Sequence, residues 1–168
     1  MSKKNSKMLP EKRSKLILAA KIMAILLSLY FSGAMTALSG AGLIYNRESY
    51  GTELRNIGIF LLISAALMVS GAFLCLLRKK IANILSAVFS SAGLVLCLVM
   101  LKQLTDHADF SGWTDKYTML PVSDMYMRRI MPCIIPAALT VIIAAVQLSS
   151  EHRSKKAEED NAAAPPIV

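Results

Sequence analysis

"IGIFLLISAALMVSGAFLCLL", residues Ile57–Leu77, runs for 21 residues without a charged side chain. At 1.5 Å of rise per residue, a helix of this length reaches roughly 30 Å, the thickness of a bilayer's hydrocarbon core. A soluble helix this long would show a charged face at the 3.6-residue period, and this one has none. The segment reads as a membrane-spanning helix. Three further runs share its character: Ile22–Tyr45, Ile81–Leu101 and Ile130–Leu148, none with an acidic residue. The expected fold is therefore an all-α integral membrane protein, a bundle of four transmembrane helices. A length of 168 residues would by itself suit a small soluble domain, but 55% apolar residues gathered into four runs do not.

The net charge of +8 raises the question of nucleic acid, and the placement of the charge answers it. Six basic residues lie within residues 1–15, Lys21 follows, and Arg78–Lys80 adds three more. The loops 46–56 and 102–129 are each neutral overall. An even number of spans puts residues 1–15, the turn 78–80 and the tail 151–168 on one side. With Lys21 at its edge, that side holds thirteen of the nineteen Lys and Arg residues. Cytoplasmic loops carry the excess of Lys and Arg, so both termini are expected in the cytoplasm and loops 46–56 and 102–129 outside. No basic domain remains to bind phosphates, so nucleic acid is not an expected partner. The compact plan suggests a bacterial cytoplasmic (inner) membrane. The 24-residue first run exceeds the apolar region of a cleaved leader, so it is expected to stay as an anchor.

The organisation follows: a basic cytoplasmic segment at 1–15, a membrane domain at 16–150 and a disordered tail at 151–168. Lys21 is expected to snorkel to the cytoplasmic headgroups, with Arg78, Lys79 and Lys80 beside it and Arg128 and Arg129 anchoring the outer interface. A weak internal echo aligns "SAALMVSGAFLCLL" (Ser64–Leu77) with "SAVFSSAGLVLCLV" (Ser86–Val99), matching six of fourteen positions. Chance likeness between segments of similar composition is the expectation.

No ionisable residue lies at mid-membrane depth, which removes the groups that proton relays and ion-coupled transport use. The spans carry small residues instead. Ser28, Ser32, Thr36 and Gly40 recur every four residues, with Gly33 and Ala37 alongside. In lipid such faces let helices approach closely, either inside the bundle or against another membrane protein. Cys75, Cys97 and Cys133 form no CxxC pair and are expected to be buried small hydrophobes, although Cys97 and Cys133 share a depth.

The loop stretch "TDHADFSGWTDKY" (Thr105–Tyr117) offers one histidine and no cysteine, too few ligands for a zinc site. No metal or cofactor is expected. Thr105 or Asp106 is expected to stop the third helix, "FSGW" to turn and Ser123 to cap the fourth. Pro132 is then expected in that helix's opening turn, and Pro136 is expected to kink the helix or free a carbonyl. His107, Trp113 and Tyr117 make the loop an aromatic interfacial surface suited to recognition. The expected function is a non-enzymatic accessory or scaffolding subunit whose partners are the lipid bilayer and another membrane protein. The alternative is self-association into a small transporter or pore, with the uncharged Ser/Thr face lining its path.

Overall fold

A computed structural model describes residues 10–45, 52–77, 79–114 and 119–162, with backbone alone at 10–14 and 151–162. It contains four helical spans long and apolar enough to cross a membrane. The first runs from α1 (Pro10–Leu27) through a π-helix (Ser28–Thr36) into α2 (Ala37–Tyr45). The second is α3 (Thr52–Leu74) and the third α4 (Lys80–Phe110). The fourth comprises α5 (Val122–Ile130), a 3-10 turn (Met131–Cys133) and α6 (Ile134–Ala162). Among the described residues there is no strand, only an isolated antiparallel bridge between Thr114 and Pro121.

Span 1 packs on span 2, span 2 on span 3, span 3 on span 4, and span 4 closes back on span 1. Glycine sets the spacing where the spans cross. A Cβ placed on Gly40 would lie 2.7 Å from the Gly58 carbonyl oxygen, and one on Gly58 would lie 2.6 Å from that of Gly40. The backbones of spans 1 and 2 therefore touch. In lipid, where burying Leu gains little over a lipid tail, such contact supplies the attraction that holds helices together.

The π-helix occupies the small-residue stretch of span 1. There the Thr36 hydroxyl donates to the Phe31 carbonyl five residues back, at 3.1 Å, and Ser39 donates to Met35 at 2.8 Å. Hydroxyls so placed serve carbonyls that a widened turn leaves poorly bonded.

Several boundaries differ from the sequence expectation. The third helix does not stop at Thr105 or Asp106, because the Thr105 hydroxyl donates to Lys102 within the helix at 2.9 Å. It continues to Phe110, a length of 31 residues or roughly 46 Å. Leu101, Leu104, Thr105 and Ala108 are all buried at helical spacing and hold this extension against α5. The fourth span likewise starts at Val122, where Pro121 precedes it and Ser123 is buried inside the first turn without capping. The connection shrinks from the expected 102–129 to 111–121. Pro132 then sits in mid-span instead of the opening turn, and its missing N–H breaks the ladder into the 3-10 turn.

At the other ends, α1 begins at Pro10, a residue suited to a first helical position. Backbone helix persists to Ala162, within the segment expected to be a disordered tail, over a stretch rich in Lys, Glu and Ala.

Candidate functional site

The small residues of span 1 turn into the bundle. Ser28, Ser32, Thr36 and Gly40 are all buried, and the first two face span 2. The Ser28 hydroxyl donates to the Met68 carbonyl at 3.4 Å, and that of Ser32 meets the Met68 sulfur at 3.6 Å. Gly33 and Ala37 are half-buried, with Gly33 beside Val69.

Between spans 2 and 3 the sequence echo has a structural use. Its matched residues are separated by 22 positions: Ser64 and Ser86, Gly71 and Gly93, Cys75 and Cys97. Gly93 lies under Ser64, since a Cβ there would be 2.9 Å from the Ser64 carbonyl oxygen. The image contact exists too: a Cβ on Gly71 would be 3.0 Å from the Ser86 carbonyl oxygen, and there the Ser86 hydroxyl also donates to the Gly71 carbonyl at 2.7 Å. The Cys97 thiol stands beside Ser64, and the Cys75 thiol beside Ser86. Each serine thus meets the glycine and cysteine of the opposite helix. A pseudo-two-fold axis in the membrane plane relates the two antiparallel helices, a small-scale version of an inverted repeat. The residues matched in the echo are the interface residues themselves.

Spans 1 and 4 make the two layers different. In the Ser64–Gly93–Cys97 layer, span 1 contributes Thr36, whose hydroxyl approaches Cys97, and span 4 contributes Cys133. The Cys97 and Cys133 sulfurs are 3.7 Å apart, and neither residue has any exposed surface. In the Ser86–Gly71–Cys75 layer, span 1 contributes Lys21 near Cys75, while Ala24, Cys75 and Ile143 pack together.

Lys21 is only 6% exposed, so it does not snorkel as expected. The helix starts eleven residues before it, and the small Ala20 and Ala24 let Leu139 and Ile143 of span 4 close over this level. One turn from Ser86 in the same direction lies Asn83, fully buried, with neither Nδ2 nor Oδ1 hydrogen-bonded. Gln147, one turn past Ile143, has an unbonded buried Nε2.

At the opposite end, α4, the turn and α5 form an ordered cap. Helix α4 finishes in a Schellman motif: Gly112 adopts φ +62°, its N–H bonds Asp109 at 3.1 Å, and the Trp113 N–H bonds Ala108 at 3.0 Å. Trp113 then accepts from the Val122 N–H at 3.0 Å, stacks edge-on against His107 with centroids 5.4 Å apart, and packs on the bundle core. The two aromatic residues of the expected recognition loop are therefore brought together as a brace. Tyr117 lies outside the described residues, as does Arg78. Lys79, Lys80, Arg128 and Arg129 are exposed. The cap's outward residues are apolar: Phe110 is 94% exposed, Met119 76% and Leu120 54%. The helical spacing of Leu101, Leu104, Thr105 and Ala108 extends α4 as far as Phe110.

Asp106 and Asp109 are exposed near His107, but among the described residues no three His, Cys, Asp or Glu side chains gather as metal ligands. The chain matches no family model, no curated protein and no solved structure.

Proposed function

We propose that this chain is a non-enzymatic accessory or scaffolding subunit that engages another membrane protein through its extramembrane cap. The observation that carries this reading is the exposure of Phe110, Met119 and Leu120 on an ordered turn. About nine residues separate Leu101, the end of the apolar run, from Phe110, a helical rise of roughly 14 Å. That exceeds the headgroup layer, so an aromatic serving only as a membrane-interface anchor has no reason to be there. An apolar edge held rigidly in water suits a protein partner.

The bundle itself supports a scaffold more than a conduit. Its Ser/Thr face is packed on span 2, and the Gly40–Gly58 contact closes the space between spans 1 and 2. The setting in this proposal is a bacterial cytoplasmic membrane with both termini inside, supported by the thirteen-to-six division of Lys and Arg.

The test is a mild-detergent pull-down of the natively expressed full chain, with partner identification, repeated for Phe110→Ser combined with Leu120→Ser. A partner in fixed ratio that the double variant loses supports the proposal. A homo-oligomer running alone, with flux on reconstitution that the variant retains, would replace it with the pore.

A further inference from the structure

We propose that Cys97 and Cys133 are a disulfide site, an interhelical bond that ties span 3 to span 4 beneath the cap. This inference does not depend on what the cap binds. Two thiols, 36 residues apart in sequence, meet at 3.7 Å in the interior of the bundle. A disulfide is about 2.05 Å long, so the sulfurs must close by roughly 1.6 Å. The local backbone suits that movement. Cys133 sits at the end of the 3-10 turn Met131–Cys133, where Pro132 interrupts the helical ladder, and Pro136 removes a further N–H one turn on. Cys97, by contrast, sits in the uninterrupted middle of α4.

The chemistry balances with hydrogen peroxide, a small uncharged oxidant. The Cys97 sulfur attacks one peroxide oxygen and the O–O bond breaks, leaving a sulfenic acid and releasing water. The Cys133 sulfur then attacks the Cys97 sulfur, the S–O bond breaks, and the hydroxide leaves with the Cys133 proton as a second water. Two thiols and one peroxide give one disulfide and two waters. The balance is the same if the Cys133 sulfur attacks the peroxide first. The new bond closes a loop containing the end of α4, the turn at Gly112 and all of α5, so it clamps the whole cap at its base.

Cys75 is the built-in control. It occupies the related position in the other layer, beside Ser86 and near Lys21, and no second thiol is packed with it.

The experiment uses the full chain in its membrane, treated with hydrogen peroxide and in parallel with diamide. The sample is then unfolded in acid, alkylated with N-ethylmaleimide, and its intact mass and peptides are measured. Untreated chain should take an adduct on each of its three cysteines. Oxidised chain should take one, on Cys75, with a Cys97–Cys133 linked peptide and a monomer on a non-reducing gel. Cys97→Ser should abolish the linked peptide while its expression and monomer yield match those of Cys75→Ser. Three adducts surviving both oxidants would overturn the proposal. So would a link involving Cys75, or a Cys97–Cys133 link found only between chains.

Discussion

Replacing Gly40 with alanine asks whether the small-residue face of span 1 belongs to this bundle or to another protein. The new Cβ would meet the Gly58 carbonyl oxygen at 2.7 Å and Leu61 Cβ at 3.2 Å, so span 1 must withdraw by about 0.7 Å to reach ordinary contact at 3.4 Å. Overpacking of this kind costs ~1–3 kcal/mol, and alanine's better helix propensity returns up to ~1 kcal/mol. With that return made in full, the net loss is ~0–2 kcal/mol, up to a 30-fold shift of the unfolding equilibrium. Gly42 provides the comparison two residues on, since a Cβ there meets nothing within 4 Å. Gly42→Ala should be neutral or stabilising by up to ~1 kcal/mol. The assay is SDS-induced unfolding of purified chain in mild detergent, followed by the fluorescence of Trp113, the single tryptophan, which packs on the core. Equal midpoints for the two variants would refute the reasoning. A stable Gly40→Ala chain that loses a bound partner would show that this face belongs to the partner.

Other outcomes follow from the same geometry. Gly112→Ala forces a side chain into a left-handed turn with open space around it, so the loss is conformational alone, ~1–2 kcal/mol. It should appear as faster protease cleavage within 111–121, with the SDS midpoint of the spans little changed. Asn83→Leu replaces a fully buried amide with two unbonded polar atoms by an apolar side chain of similar size. It should raise the unfolding midpoint by the equivalent of ~1–3 kcal/mol, and a lowered midpoint would mean that Asn83 holds something in place. For orientation, Ser111→Cys should react with an impermeant maleimide on intact cells, and Ser154→Cys only after lysis. The reverse pattern would invert the assigned topology.

The four spans were legible because their apolar runs are longer than any alternative explanation allows. Their true ends were less so, because hydropathy stops registering where a helix leaves lipid. In "KQLTDHADF" (Lys102–Phe110) the signal changes from bulk hydropathy to spacing, with Leu104, Thr105 and Ala108 continuing the buried face begun by Leu101. The Cys97–Cys133 approach was half visible, since a shared depth could be counted along the helices but their rotation could not. The echo between Ser64–Leu77 and Ser86–Val99 was visible as letters, yet its meaning required knowing that the two helices cross antiparallel at those letters. Nothing in the residue types marks Ser28–Thr36 as a π-helix. That conformation depends on which carbonyls the neighbouring hydroxyls find. Lys21 was misread for a related reason: whether a lysine at the edge of an apolar run reaches water is decided by what packs over it.

The burial of Lys21 also has a bearing on the order of synthesis. The residues that close over its level, Leu139 and Ile143, leave the ribosome 118 and 122 positions after it. Through that interval span 1 must sit in the bilayer with its ammonium drawn to the aqueous boundary on its own stem. Only the arrival of span 4 against Ala20 and Ala24 buries the side chain. Span 1 therefore reaches its final environment only when span 4 is in place, and the burial of one lysine side chain marks that step.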